Sequence, residues 1–179
     1  MPIDLQQSQS MALICAVMGR DQRLLEQARR QLEKQLGPIH QPGPIYPFDY
    51  TTYYAAEMGA NLVKQLIWFS QTVDPAVLPG TKRQTMKIER ELAEEAGGKI
   101  ARRVNIDPGL VSIESLVLAS TKYSGHRICI APSLYAETTL LFRRGRYRPC
   151  EWTYLDYQTD TVQDFLQTIR TYLLQQQRL

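Results

Sequence analysis

With 179 residues, 44% hydrophobic and 22% charged, the chain has the size and balance of one soluble globular domain that buries a sizeable core. A net charge of +3 and a pI near 8.8 lack the concentrated basic excess of a dedicated nucleic-acid binder. The longest apolar run, "MALICAVM" at 11–18, is far short of the roughly 20 residues that span a membrane, so no membrane partner is expected.

Residues 1–10 are polar, with neither a basic start nor an apolar signal core, and are expected to be a flexible tail before one domain at 11–179. Residues 11–18 read as a buried central strand. Asp21 can cap the helix that follows, where Leu24, Leu25, Ala28, Leu32 and Leu36 form one apolar stripe, and Gly37-Pro38 closes it. "PIHQPGPIYPFDY" (38–50) carries four prolines and is expected to give a short edge strand at most, otherwise a loop. "TTYYAAEMG" (51–59) reads as a short helix capped by Thr51 or Asp49 and stopped by Gly59. "LVKQLIWFSQTV" (62–73) is rich in branched and aromatic residues and reads as a strand. A second helix is expected at about 80–97, burying Met86, Ile88, Leu92, Ala93 and Ala96 and ended by Gly97-Gly98.

"RRVNIDPGLVSI" reads as strand, tight turn at Asp107-Pro108-Gly109, and strand. "IESLVLAS" fits either a helix or a buried strand. Residues 126–150 read as a three-stranded meander turning at Ala131-Pro132-Ser133 and Arg144-Gly145. Val162, Phe165, Leu166, Ile169, Leu173 and Leu174 mark a packing helix over about 159–177, capped by Thr159 or Asp160. The fold class expected from this order is α+β: a ferredoxin-like split βαβ core (β-α-β-β-α-β) with a C-terminal β-meander and a terminal helix. An α/β open sheet is the alternative. Cys15, Cys129 and Cys150 form no disulfide framework; Cys15 and Cys129 lie in apolar runs and read as buried, in a reducing, cytoplasmic setting.

The most informative stretch for chemistry is "TKYSGHRICI" (121–130). A three-residue turn at 131–133 would pair Ile128 with Ala136 and Arg127 with Glu137, beside Tyr135 on one face. Arg127 is then a fixed guanidinium for an anion, with Lys122 nearby; the plain alternative is an exposed ion pair. His126 sits at the strand's start and is a candidate acid or base. Asn105 and Asp107, two apart on a strand, present an amide and a carboxylate to one face. Asp49, Tyr53 and Glu57 lie in a tyrosine-rich segment, and Trp152 and Asp156 in "PCEWTYLDY" (149–157). The hairpin "RRGRYR" (143–148), joined by Arg102-Arg103, is basic and aromatic enough to grip RNA phosphates. No HxxxH, HExxH or cysteine pair at ligand spacing appears, so no metal site is expected, and no cofactor is identified.

"PFDYTTYYAAEMG", "RRVNIDPG", "LASTKYSGHRI", "LYAETTL" and "WTYLDY" together resemble the signature blocks of a bacterial and archaeal family known as domain of unknown function 4416, over about residues 11–175. Some of its members carry the label "GTP-binding protein". The residues lack the motifs such a label implies. Gly98-Lys99 is followed by Ile100 and preceded at the required first glycine by Ala93; "TKYS" has Ser124 where a guanine-reading aspartate belongs; "DPGL" has its glycine one position early.

The family blocks contain Asp49, Tyr53, Glu57, Asn105, Asp107, Lys122, His126, Arg127, Tyr135, Glu137, Trp152 and Asp156. The expectation is that these converge on one pocket for a small anionic ligand, phosphorylated or nucleotide-like. Lys122 and Arg127 would hold the anion, and His126 with Glu137 or Asp107 would form an acid/base pair. An RNA-binding module using the basic hairpin and a non-catalytic oligomeric scaffold are the alternatives.

Overall fold

The structure, a computed structural model, describes residues 3–4, 6–51, 53–96 and 98–177. Strand β1 (Met11–Gly19) is buried from Ala12 onward on both faces, as its unbroken apolar run requires. Asp21 then caps helix α1 (Gln22–Leu36), its carboxylate accepting the Leu24 N–H at 2.9 Å; Gly37, at φ 99°, closes the helix. Strand β2 (Ile39–Phe48), the single turn α2 (Ala55–Met58) and strand β3 (Leu62–Val73) follow. A short 3-10 turn at Pro75–Val77 leads into α3 (Leu78–Glu91), then a small hairpin of β4 (Glu94–Ala96) and β5 (Lys99–Ala101). Next come β6 (Val104–Val111), β7 (Ser115–Ser120), β8 (Ile128–Ala131), β9 (Leu134–Arg143) and β10 (Arg146–Pro149). A 3-10 turn at Leu155–Gln158 and α4 (Asp160–Gln176) end the described chain.

The fold is α+β. The main sheet runs β10-β9-β7-β6-β1-β3-β2, with β8 sharing the outer edge of β9 with β10. Every described strand pair is antiparallel, which overturns the open α/β alternative. Elements β1, α1, β2, β3, α3 and β6 follow one another in the expected β-α-β-β-α-β order, and the C-terminal strands extend the same sheet. Alternation along β1 sorts the two cores. Leu13, Cys15 and Val17 pack with Leu24, Leu25 and Leu32 of α1 and Ile88 of α3. Ala12, Ile14 and Ala16 pack with Phe165, Leu166 and Ile169 of α4. Among the described residues no helix is long and apolar enough to cross a membrane.

Several expectations are corrected. The proline-rich stretch 38–50 forms a ten-residue strand; as the sheet's edge it tolerates prolines, and two register shifts absorb them. The helix expected at 80–97 stops at Glu91, because residues 94–96 pair with 99–101; Gly97 lies outside the described residues. No side chain caps α2; Thr51 instead accepts the Tyr53 N–H, and Asp49 stands apart. Thr159 precedes α4 without a side-chain cap bond. Asp107-Pro108-Gly109 is no turn but the middle of β6. Residues 115–120 resolve their ambiguity as strand. Part of the expected 1–10 tail lies outside the described residues.

The meander holds the expected Ile128–Ala136 register by a different route: a two-residue turn at Pro132-Ser133 plus a bulge between Cys129 and Ala131. Because β8 is a short outer strand, Cys129 is exposed, against the expectation of burial, and its neighbour Ile128 is 74% exposed. In β9 a second bulge leaves Thr139 as an extra residue opposite Leu116/Val117. It reverses side-chain parity, so Glu137 shares the face of Leu118 and Leu140 and is buried.

Candidate functional site

The site begins with a gap in the sheet. Pairing between β6 and β7 covers only Gly109–Leu118 to Val111–Leu116 and stops at Pro108. Proline has no N–H to donate, so the ladder ends there and the two strands diverge. Beyond it the Ile106 peptide groups lack a strand partner on that side. Side chains of α3 replace it: Lys82 Nζ donates to the Ile106 carbonyl at 2.9 Å, and Glu89 Oε1 accepts the Ile106 N–H. Gly109 allows the close approach just before the split. A Cβ there would lie 2.6 Å from Leu118 Cδ2 and 2.9 Å from the Val117 carbonyl oxygen.

The split opens a cleft of about 350 Å³. One wall is α3, with Lys82, Met86 and Glu89; the floor is Asn105 and Asp107 of β6. The opposite wall is Leu118–Lys122, Arg127 and Glu137, and Tyr54, Glu57, Arg102 and Tyr154 form the rim. Most charges are paired. Lys82 meets Asp107 at 2.9 Å, Arg102 meets Glu57 at 2.6 Å, and Arg127 Nε meets Glu137 Oε2 at 2.7 Å. Asn105 links two of these groups, accepting from Arg102 Nη1 at 2.7 Å and donating to Asp107 Oδ2 at 2.6 Å. Lys122 differs: its ammonium donates to the Tyr53 hydroxyl at 2.7 Å and has no carboxylate partner among the described residues.

Burial raises the Glu89 carboxyl above its ordinary value, only partly opposed by Lys82 and the Ile106 N–H. Asp107 goes the other way: despite burial, the Lys82 ammonium and the Asn105 amide hold it below the usual carboxylate range. Lys82 itself is raised, because Asp107 and Glu89 outweigh its desolvation.

The structure brings Glu57, Asn105, Asp107, Lys122, Arg127 and Glu137 to one cleft, with Arg127 Nη1 donating to the Lys122 carbonyl at 2.8 Å. His126 lies behind this wall. Its Nε2 is 3.0 Å from Glu137 Oε2, its Nδ1 is 3.0 Å from Ser124 Oγ, and its ring stacks on Trp152 at 4.5 Å. Trp152 donates its indole N–H to the Thr138 carbonyl. Tyr53 reaches the cleft only through Lys122. Tyr135 stands against Tyr123 and does not line the cleft. Asp49 lines a different hollow, with Phe48 and Asn61. Asp156 is fully buried against Lys64 at 2.6 Å and the Tyr46 hydroxyl at 3.1 Å, so it ties the C-terminal 3-10 turn to β3 and is closed to a ligand. Tyr135 and Asp156 depart from the expected convergence because each is committed to a separate packing contact, and Asp49 is exposed at its own hollow; Tyr53, His126 and Trp152 also lie outside the cleft lining.

The basic hairpin also changes character. Tyr147 is buried and donates to the Ser112 carbonyl, so it offers no ring for base stacking. Arg146 is bound to Asp160, while Arg102 and Arg103 pair with Glu57 and Glu94, away from the hairpin. Sequence reasoning missed Lys82 and Glu89. Their signal was present: Lys82, Met86 and Glu89 fall at i, i+4 and i+7 on the helix face turned to the sheet.

No match emerged among curated proteins or among solved structures. The family model described as Domain of unknown function (DUF4416) matches residues 9–172, nearly the whole chain, and includes every residue of the cleft. The chain therefore belongs to the DUF4416 family.

Proposed function

We propose that the protein binds a small anionic ligand, phosphorylated or nucleotide-like, in the cleft where β6 and β7 part. The observation that carries this reading is Lys122. Of the four cationic side chains that line the cleft, it alone has no carboxylate partner among the described residues, and it stands beside Arg127. Glu137 fixes Arg127 through Nε and leaves Nη2 without a hydrogen-bond partner among the described residues, so two donors are ready for an anion. His126 shares Glu137 with Arg127 and is the proton-carrying group of the same reading. Asp107, saturated by Lys82 and Asn105, supports the cleft instead of taking a proton. Cytoplasmic location belongs to this proposal, supported by three free cysteines, one of them exposed.

RNA gripped by the 143–148 hairpin has less support, given the buried Tyr147 and the paired Arg146. A scaffold role would use the exposed Trp152, Tyr154 and Leu155 between copies, and would show as a stable oligomer. The test is a thermal-shift screen against nucleotides and sugar phosphates, since a ligand at 100 times its Kd adds about 2.7 kcal/mol. Lys122→Ala should remove most of any shift, and a doubly reversed Arg144→Glu/Arg146→Glu variant should keep it. A shift that survives Lys122→Ala but vanishes in the hairpin variant would overturn the assignment.

A further inference from the structure

We propose that the ligand of this cleft is a zwitterion: its anionic end faces Lys122 and Arg127, and a cationic amino group is received by Glu89. The inference rests on the anion-binding reading above and adds the second pole.

The argument is an account of carboxylate oxygens. Asp107 is filled, with Lys82 on Oδ1 and the Asn105 amide on Oδ2. Glu137 Oε2 holds His126 and Arg127, and Oε1 faces the Thr139 hydroxyl. Glu57 is an exposed rim group bound to Arg102. Glu57 Oε1 is also open among the described residues, but it stands on the exposed rim; of the carboxylates in the cleft's walls and floor, Glu89 is the exception. Its Oε1 is pinned by the Ile106 N–H, while Oε2 has no partner among the described residues and the side chain lines the cleft. A partly buried carboxylate with one oxygen fixed by backbone and the other open is a pre-oriented acceptor.

Charge points the same way. On the α3 side, Lys82 faces both Asp107 and Glu89, which leaves one negative charge in excess. On the opposite wall, Lys122 and Arg127 face Glu137 alone, which leaves one positive. The rim pair Arg102–Glu57 cancels. The cleft is thus neutral as a whole but polar from wall to wall, and its complement carries both signs. A bare metal ion fits the α3 wall poorly, because the described residues hold no cluster of three His, Cys, Asp or Glu side chains. An ammonium brings its own directional donors and needs fewer ligands.

The test is isothermal titration of the intact protein with a homologous series of ω-aminoalkyl phosphates, from aminoethyl to aminopentyl, against n-alkyl phosphates of matched length. One aminoalkyl phosphate should bind about tenfold or more tightly than its alkyl partner, the increment of a charge-assisted hydrogen bond. In Glu89→Gln, which keeps an oxygen for the Ile106 N–H, that preference should fall below about threefold, while alkyl phosphate affinity should hold or rise because a negative charge is removed from the cleft. Lys122→Ala should weaken both classes. Equal affinity within every pair, or a preference that persists in Glu89→Gln, overturns the zwitterion and leaves the anion site standing. Absence of binding by both classes at millimolar concentration overturns the anion site, and the zwitterion with it.

Discussion

Replacing Lys82 by Met tests the physical core of the cleft. The ammonium is almost fully buried and makes two bonds of 2.9 Å, one to Asp107 Oδ1 and one to the Ile106 carbonyl. Methionine keeps most of the stem and removes both. Stranding a buried carbonyl costs about 1–3 kcal/mol, and a charge-assisted bond is worth about 1.5–3 kcal/mol. Asp107 would then face Glu89 uncompensated, so the total expected loss is about 3–5 kcal/mol, the range for breaking a buried pair. Urea denaturation at pH 7 measures it, with the m-value unchanged. Asp107→Asn in the same background should recover part of the loss, giving a coupling of about 1–3 kcal/mol in the double-mutant cycle. The deficit should also close in acid. A carboxyl whose folded value is lowered stabilises above its unfolded value and loses that contribution as pH falls through the folded one; Asp107 is such a group, and Met at 82 abolishes the lowering. A loss under about 1 kcal/mol, or singles that add without coupling, would refute the claim that Lys82 stands in for the missing strand partner and forms a coupled buried pair with Asp107.

Gly109→Ala should destabilise by about 1–3 kcal/mol through overpacking, because its Cβ would press on the Val117 carbonyl at 2.9 Å; a neutral result in urea melts would contradict the close approach of β6 and β7. Glu89→Gln should flatten part of the pH–stability profile. A carboxyl raised by burial stabilises fully below its unfolded value and loses that as pH rises through its folded value, so the wild type should decline above about pH 4.3 where the variant does not. Parallel profiles would exclude the raised carboxyl. Lys64→Met should cost about 3–5 kcal/mol by leaving the Asp156 carboxylate buried and unpaired, and loosen the 3-10 turn before α4. Rapid proteolysis near residue 156 would report that loosening, and wild-type resistance would argue against it.

The parts of the fold that were legible are those whose signal is local. The apolar run of β1, the branched and aromatic run of β3 and the helical stripes of α1 and α4 each carry their own period. The Arg127–Glu137 pair was legible too, since strand alternation and the Ile128–Ala136 register bring them together. What stayed hidden depends on partners distant in the chain. "DPG" signals a turn until β1 pairs along its whole length and holds it extended. The bulge at Thr139 turns Glu137 inward, and nothing in "LYAETTL" announces it. Lys82 and Glu89 share a helix face by spacing, but their role went unread because their partner is the backbone of a strand 17–24 residues away. The cleft's cationic half was thus readable from sequence, and its acidic wall was not.

The most direct measurement is backbone amide shift mapping by NMR, titrating inorganic phosphate or an alkyl phosphate into the labelled protein. The account predicts that the largest shifts fall on Ser120, Thr121, Lys122 and Arg127, with smaller ones at Asn105 and Asp107, and that Lys122→Ala abolishes them. Shifts concentrated on residues 143–148, with the cleft unmoved, would contradict it.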